Sequence, residues 1–303
     1  SSGGVSVLIL DDETVSAPGE LDLVVTGFNS FPYESTVTVL TPEGAYVSVN
    51  DVSIDNGLDD MISFGEQIDI VITIENVGND SASDIMTTLT QDSSPYVNII
   101  DGYDLINSLE VGESQTINLS FTVNDDAPYG HSFTLSLEID SESNTYTNEF
   151  DFTVESLVES FESNDLLNLH WELSGDADWF VDVFNSSNGD YSARSGVIDH
   201  NMTSEILINM DIVEDGQIIF DKKVSCEDVG SQTGNYYDYL AFYIDGVEQG
   251  KWAGEINWSQ NSFNVSSGEH TFLWKYTKDS GVTSGDDAVW IDNIIFPPSY
   301  YSS

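Results

Sequence analysis

The chain has 303 residues, with 54 Asp+Glu against 6 Lys+Arg and a formal net charge of −48. That balance excludes nucleic acid and anionic membrane surfaces as partners, because phosphate contacts need Lys and Arg in numbers. Hydrophobic residues at 40% and aromatics at 12% still supply packed cores, so the acidity reads as a solvated surface suited to salty or calcium-rich water. The single Cys226 rules out an intrachain disulfide framework, and no run of about 18 apolar residues is present to span a membrane. The start at Ser1-Ser2-Gly3-Gly4 reads as a piece of a longer exported protein, placed outside the cell or on its surface.

Nearly everything reads as strand, with short β-rich runs separated by Gly, Asn, Asp and Ser. Residues 1–44 offer Val5–Leu10, Leu21–Phe28 and Ser35–Thr41. Three strands are too few for an independent sandwich of about seven. This segment is therefore a partial Ig-like piece or an arm that donates strands to a neighbouring molecule, giving a homopolymer. Residues 45–155 continue with QIDIVITIENVG, ASDIMTTLT, SQTINLSFTVND and HSFTLSLEID, a rhythm that fits an Ig-like β-sandwich of about 100 residues.

Residues 156–303 carry the strongest alternation. Leu240, Phe242 and Ile244 alternate with Tyr239, Ala241 and Tyr243 before an Asp245-Gly246 turn, and Phe272, Trp274 and Tyr276 repeat the pattern. In the closing strand Asp292 falls in line with Trp290, Ile294 and Phe296. A carboxylate on an apolar face must be paired, hydrogen-bonded or metal-bound. The fold class expected is all-β, as tandem β-sandwiches.

Two resemblances sharpen this. DNGLDDMISFGEQ, ENVGNDSASDI and DAPYGHSFTLSLEI resemble an Ig-like, cell-adhesion-related repeat of large exported bacterial proteins, including the region after the catalytic domain of gingipain-type cysteine peptidases. FES, SGDADW, YSARSG, YDYLAFYIDG and WIDNIIF, in that order, resemble the cleaved-adhesin and MAM-like modules. The second resemblance implies a concanavalin-type jelly roll, often with a structural calcium held between the first and last strands. Carried onto this chain, Glu162 and Asp292 are the candidate ligands, with Asp286 and Asp287 as loop ligands. The alternative for Asp292 is a carboxylate satisfied by hydrogen bonds without metal. The loop Asp55–Asp60 lacks the EF-hand pattern and reads as a solvated turn.

Catalysis finds little support. His131, His170, His200 and His270 are scattered, Cys226 sits beside acidic residues that raise a thiol pKa, and no nucleophile has a base and a third group near it in sequence. Tyr236, Tyr237, Trp252 and Trp258 are candidates for a sugar platform, with core packing as the competing use. Asp80-Ser81-Ala82 resembles the short O-glycosylation signal of Bacteroidetes, which makes Ser81 a candidate modification site. The reading is a non-catalytic extracellular adhesin or surface-structure module, stabilised by calcium, whose partners are protein subunits, cell-surface proteins or glycans. One form of it is a filament subunit. The alternative is a carbohydrate-binding accessory module of a larger secreted hydrolase or peptidase.

Overall fold

The computed structural model describes residues 19–25, 33–39, 43–55, 61–91, 94–141, 144–230 and 234–300, and these are all-β, without a helix. Strand Val5–Leu10 and most of the Asp55–Asp60 loop lie outside the described residues. The chain divides into two compact units, residues 1–60, 67–122 and 134–150 in one and 61–66, 123–133 and 151–303 in the other.

In the first unit β1 (Gly19–Val25) and β2 (Tyr33–Val39) form a two-stranded antiparallel ribbon. An Ig-like sandwich follows. Its strands are β3 (Val47–Asp55), β4 (Gln67–Asn76), β5 (Ala82–Gln91), β6 (Val97–Asp101), β7 (Tyr103–Leu109), β8 (Ser114–Val123), β9 (Ser132–Ser141) and β10 (Asn144–Thr153). They form two sheets in the orders β3-β4-β8-β6 and β10-β9-β5-β7. The period of two sends Ile68, Ile70, Ile72 and Ile74 of β4 inward together with Ile117, Leu119 and Phe121 of β8. The facing sheet supplies Ile85, Leu89, Leu135, Leu137 and Ile139. Each such side chain contributes about 1.5–3 kcal/mol on burial.

The ENVGND motif holds this sandwich at one end. Asn76 is fully buried, and its Oδ1 accepts from Tyr46 N (3.2 Å) and Gly78 N (3.1 Å). Its Nδ2 donates to Asp80 O (2.9 Å) and Leu109 O (3.0 Å). Gly78 is required because a Cβ there would stand 2.3 Å from Gly44 O, and Asn79 Oδ1 accepts from Gly44 N (2.8 Å). One amide thus satisfies four backbone groups on separate segments.

The second unit is a larger sandwich, the jelly roll. Its first strands are β11 (Val158–Glu159), β12 (Glu172–Gly175), β13 (Phe180–Asp182), β14 (Ser192–Arg194), β15 (Thr203–Ile212) and β16 (Gly216–Ser225). They are followed by β17 (Tyr239–Ile244), β18 (Val247–Trp252), β19 (Glu255–Val265), β20 (Gly268–Thr277) and β21 (Ala288–Ile295). One sheet runs β13-β14-β21-β16-β19, with β11 also paired to β21, and the other runs β12-β15-β20-β17-β18. Asp245 and Gly246 both take positive φ (52° and 76°) between β17 and β18, as a tight hairpin turn demands. Aromatic rings fill the centre: Trp274 lies 4.9 Å from Phe242, 5.3 Å from Phe220 and 5.9 Å from Trp171.

The closing strand departs from simple alternation. Asn293 has φ 47°, and the β16–β21 register shifts between the pairs Ile219↔Ile295 and Asp221↔Asp292. This bulge switches the inward face. Val289 and Ile291 point into the core before it, and Ile294 and Phe296 after it. Trp290 and Asp292 therefore do not share a face with Ile294 and Phe296, contrary to the expectation from period two. They stand on the outer side of the sheet, beside Lys223 and Asp221 of β16.

Replacing Asn76 by Leu leaves four buried or half-buried backbone groups without their partner. We expect the first sandwich to lose about 3 kcal/mol or more in urea unfolding, with the transition of the second unit unmoved.

Candidate binding face and acidic sites

The first and last strands of the jelly roll do lie side by side, as Val158↔Ile295 and Glu159↔Ile294. The carboxylate in that register is Glu159, which sequence reasoning passed over. It is buried, and it accepts from Phe161 N (2.8 Å) and Trp171 Nε1 (3.3 Å). Burial raises its pKa above the usual carboxylate range. Glu162 is exposed, and its two oxygens accept from Asp190 N and Tyr191 N (3.0–3.2 Å).

Asp292 is fully buried beneath the same loop. Its Oδ2 accepts from Ser187 N (2.7 Å) and Asn188 N (3.3 Å), and Oδ1 from Asn293 N (2.7 Å). Glu162 and Asp292 thus staple the 187–191 loop, where Gly189 leaves no room for a Cβ, which would meet Glu162 Oε1 at 2.3 Å. Burial pushes the Asp292 carboxyl up to about 6, against the pull of those three amides, and Asp221 adds to it.

Asp287 ion-pairs with Lys278 and accepts from Tyr276 OH (3.0 Å), and Asp286 is exposed, its backbone N donating to Ser225 Oγ (2.7 Å). Glu162, Asp286, Asp287 and Asp292 are therefore not gathered into one ligand set among the described residues. The described residues do gather three other carboxylates, Glu227, Asp238 and Asp279, with ligand oxygens within 4.8 Å of one another. Asp238 and Asp279 had no signal beyond their acidity, because the strand ends that join them are far apart in sequence.

The aromatic candidates separate cleanly. Trp252 packs against the core, 6.2 Å from Phe220 and 6.4 Å from Phe263, with Lys222 Nζ 4.7 Å from its ring. Tyr237 and Trp258 are half-buried. Tyr236 is 40% exposed and lies edge-on to Tyr239 at 6.1 Å. Lys251 Nζ sits over both rings, 4.1 Å from Tyr239 and 5.3 Å from Tyr236.

Tyr239 and Lys251 belong to the outer face of the five-stranded sheet. Cross-strand pairing builds one row from Glu205, Lys275, Ala241 and Lys251 and the next from Leu207, Leu273, Tyr243 and Glu248. Lys275 pairs with Glu205 (2.6 Å) and Lys251 with Glu248 (3.2 Å). The face offers tyrosine rings beside fixed donors and acceptors. Alternation alone would have shown Tyr239 and Tyr243 pointing outward, but not that Lys251 crosses over to them. Ser81 is exposed, next to the buried Ala82.

Cys226 is buried, and its thiol donates to Asp238 O (3.3 Å). Burial, with Asp238, Asp287 and Glu255 nearby, pushes its pKa up to about 12, the reverse of an activated nucleophile. His131 meets Glu214 at 2.6 Å and His270 meets Asp245 at 2.7 Å, both as local structural pairs.

Residues 51–151 match the CARDB family model. This cell-adhesion-related, Ig-like match agrees with the resemblance read from ENVGNDSASDI and its neighbours. No curated protein matches the chain. Among solved structures, the secreted serine protease VesC of Vibrio cholerae is similar at 15% identity and TM-score 0.34 over 83% of this chain. The chain spans about half of VesC, 52% of its length. The K3 cleaved adhesin domain of Lys-gingipain from Porphyromonas gingivalis is similar at 12% identity and TM-score 0.34, covering 46% of this chain and 97% of that domain. The xylan-binding CBM22-1 domain of Paenibacillus barcinonensis Xyn10C is similar at 16% identity and TM-score 0.30, covering 48% and 95%. The CARDB segment coincides with most of the first sandwich.

Two measurements follow from the buried groups. Cys226 should resist Ellman's reagent at pH 8 in the native protein and react at once in urea. Rapid native labelling would contradict its placement. Asp292 binds a proton more tightly folded than unfolded, so its stabilising share is complete below about pH 4 and is lost as pH rises through about 6. With each tenfold in proton affinity worth about 1.4 kcal/mol, wild type should lose up to about 3 kcal/mol more than Asp292→Asn between pH 4 and 7. Parallel stability curves for the two proteins would refute this.

Proposed function

We propose that this chain is a non-catalytic, extracellular adhesive module that makes contact through the outer face of its five-stranded jelly-roll sheet. The observation that carries the reading is the juxtaposition of Tyr236, Tyr239 and Tyr243 with the Lys251–Glu248 and Lys275–Glu205 pairs. Tyrosine rings stack on the apolar faces of sugars, and fixed Lys–Glu pairs exchange hydrogen bonds with hydroxyls. Both fit a neutral, hydroxyl-rich glycan. A polyanion finds a poor surface here, because each lysine already has a carboxylate partner.

The CARDB match supports the adhesive side of the reading, in which the first sandwich serves as a spacer or second contact surface. Calcium is the proposed stabilising ion. Growth into a filament through the N-terminal strands is the finer form of the proposal; among the described residues the β1–β2 ribbon pairs with no third strand, and a two-stranded ribbon is marginal alone.

The reading is tested by retention on a polysaccharide panel and a glycan array, with wild type compared to Tyr239→Ala. Wild type should bind at least one neutral glycan, and the variant should bind it about tenfold or more weakly while melting at the wild-type temperature. Wild type that retains no glycan, or a variant that binds as well as wild type, would remove this face as the contact.

A further inference from the structure

We propose that Glu227, Asp238 and Asp279 form a binding site for a hard divalent cation, calcium in the first place, at one end of the jelly roll. Three separate segments deliver them. Glu227 follows β16 by two residues, Asp238 directly precedes β17, and Asp279 follows β20 by two. Pairing of Tyr239 with Thr277 brings the second and third together. Two further contacts tie in the first: Gly254 N donates to Glu227 O (3.2 Å) and Cys226 Sγ to Asp238 O (3.3 Å). The three carboxylates then offer oxygens within 4.8 Å of one another, each from a segment that adjoins a strand end.

Acidic side chains crowd many surfaces of this chain, and crowding alone would say nothing. The distinguishing observation is Asp238, which is 0% exposed. Its Oδ1 accepts from Asp279 N (2.9 Å), but its Oδ2 is buried with no hydrogen-bond donor. The nearest cation, Lys278 Nζ, is 3.7 Å from that oxygen, beyond hydrogen-bonding reach, and is itself held by Asp287. Lys278 is thus shared between Asp238 and Asp287, and Glu227 and Asp279 add two further carboxylates beside Asp238. A buried, donor-free carboxylate oxygen in such a field is satisfied by a cation.

The donor set chooses the class of ion. The gathered ligand atoms are all carboxylate oxygens, and the neighbouring Cys226 thiol donates to the backbone carbonyl of Asp238 (3.3 Å). That chemistry favours calcium or magnesium over zinc or copper. Calcium accepts irregular geometry and completes its shell with carbonyls and water, which suits three carboxylates fixed by separate strands.

The choice of calcium rests on the stabilising-ion reading above, whereas the site is assigned from Asp238 and its neighbours alone. The test is calorimetric titration of the whole chain with calcium chloride after chelation, together with melting in chelator and in calcium. Variants are Glu227→Gln and Asp279→Asn, which perturb half-buried groups, then Asp238→Asn, and Asp292→Asn as a control outside the site. We expect wild type to bind calcium and to melt higher with it. Each of the first two variants should lose about tenfold or more in affinity, and Asp292→Asn should bind as wild type does. Calcium binding that survives Glu227→Gln and Asp279→Asn but vanishes in Asp292→Asn would overturn this site and keep the calcium reading. Absence of any calcium effect on wild type would overturn both. Neither outcome touches glycan retention, which the Tyr239→Ala comparison reads separately.

Discussion

The scarcity of cations governs this molecule. Residues 1–193 contain no Lys or Arg, and all six of the chain's cations fall between Arg194 and Lys278. Each is engaged within the jelly roll. Arg194 and Lys223 flank the Trp290 ring at 5.4 and 4.7 Å, on the register Arg194↔Trp290↔Lys223. Lys222 turns towards the core over Trp252, where burial lowers its pKa. Lys251 lies on Tyr239, Lys275 on Glu205 and Lys278 on Asp287. Rings accompany four of the six cations, because an aromatic face stabilises a cation without adding another charge that must itself be solvated. The stacking around Trp290 also explains how a tryptophan on the outer side of a sheet is nonetheless almost completely buried.

The sequence made the all-β class and both sandwiches legible for a plain reason. A period of two written in Ile68, Ile70, Ile72 and Ile74, or in Phe272, Trp274 and Tyr276, has one burial solution in a sheet, and those residues take it. The period failed at Asn293, where one residue in the left-handed region moves Trp290 and Asp292 to the opposite face from Ile294. Asn tolerates that conformation better than most residues, so WIDN carried a hint of the bulge, although not of its consequence. The site was less legible. Trp252 looked like a loop aromatic and is core, because the hairpin after Asp245-Gly246 lays β18 back over Phe220 and Phe263. Glu227, Asp238 and Asp279 meet only through strand pairing, which no local spacing encodes.

Motif residues in this chain hold backbone. Asn76 in ENVGND satisfies four backbone groups, and Glu162 of FES and Asp292 of WIDN bind the amides of one loop. Buried Asn and Asp side chains are favoured where their polar atoms find partners, and the backbone amides held by Asn76 and Asp292 supply them. Chemistry available to a partner lies instead on the outward residues of regular strands, which leave a weaker imprint on the sequence. That division explains why the resemblances located the sandwiches better than they located outward-facing side chains.

Charge separates the two units in the same way. The jelly roll neutralises part of its acidity with its own cations, and Asp238 marks a place where they fall short. The first sandwich has none to use, so its carboxylates are screened only by ions from solution, over a Debye length of about 8 Å at physiological ionic strength and about 3 Å in molar salt. Repulsion within that unit therefore weakens as salt rises, while the cation–ring contacts of the jelly roll, buried or half-buried, depend on salt far less. The difference between the units is one of degree, because the jelly roll still carries far more carboxylates than cations.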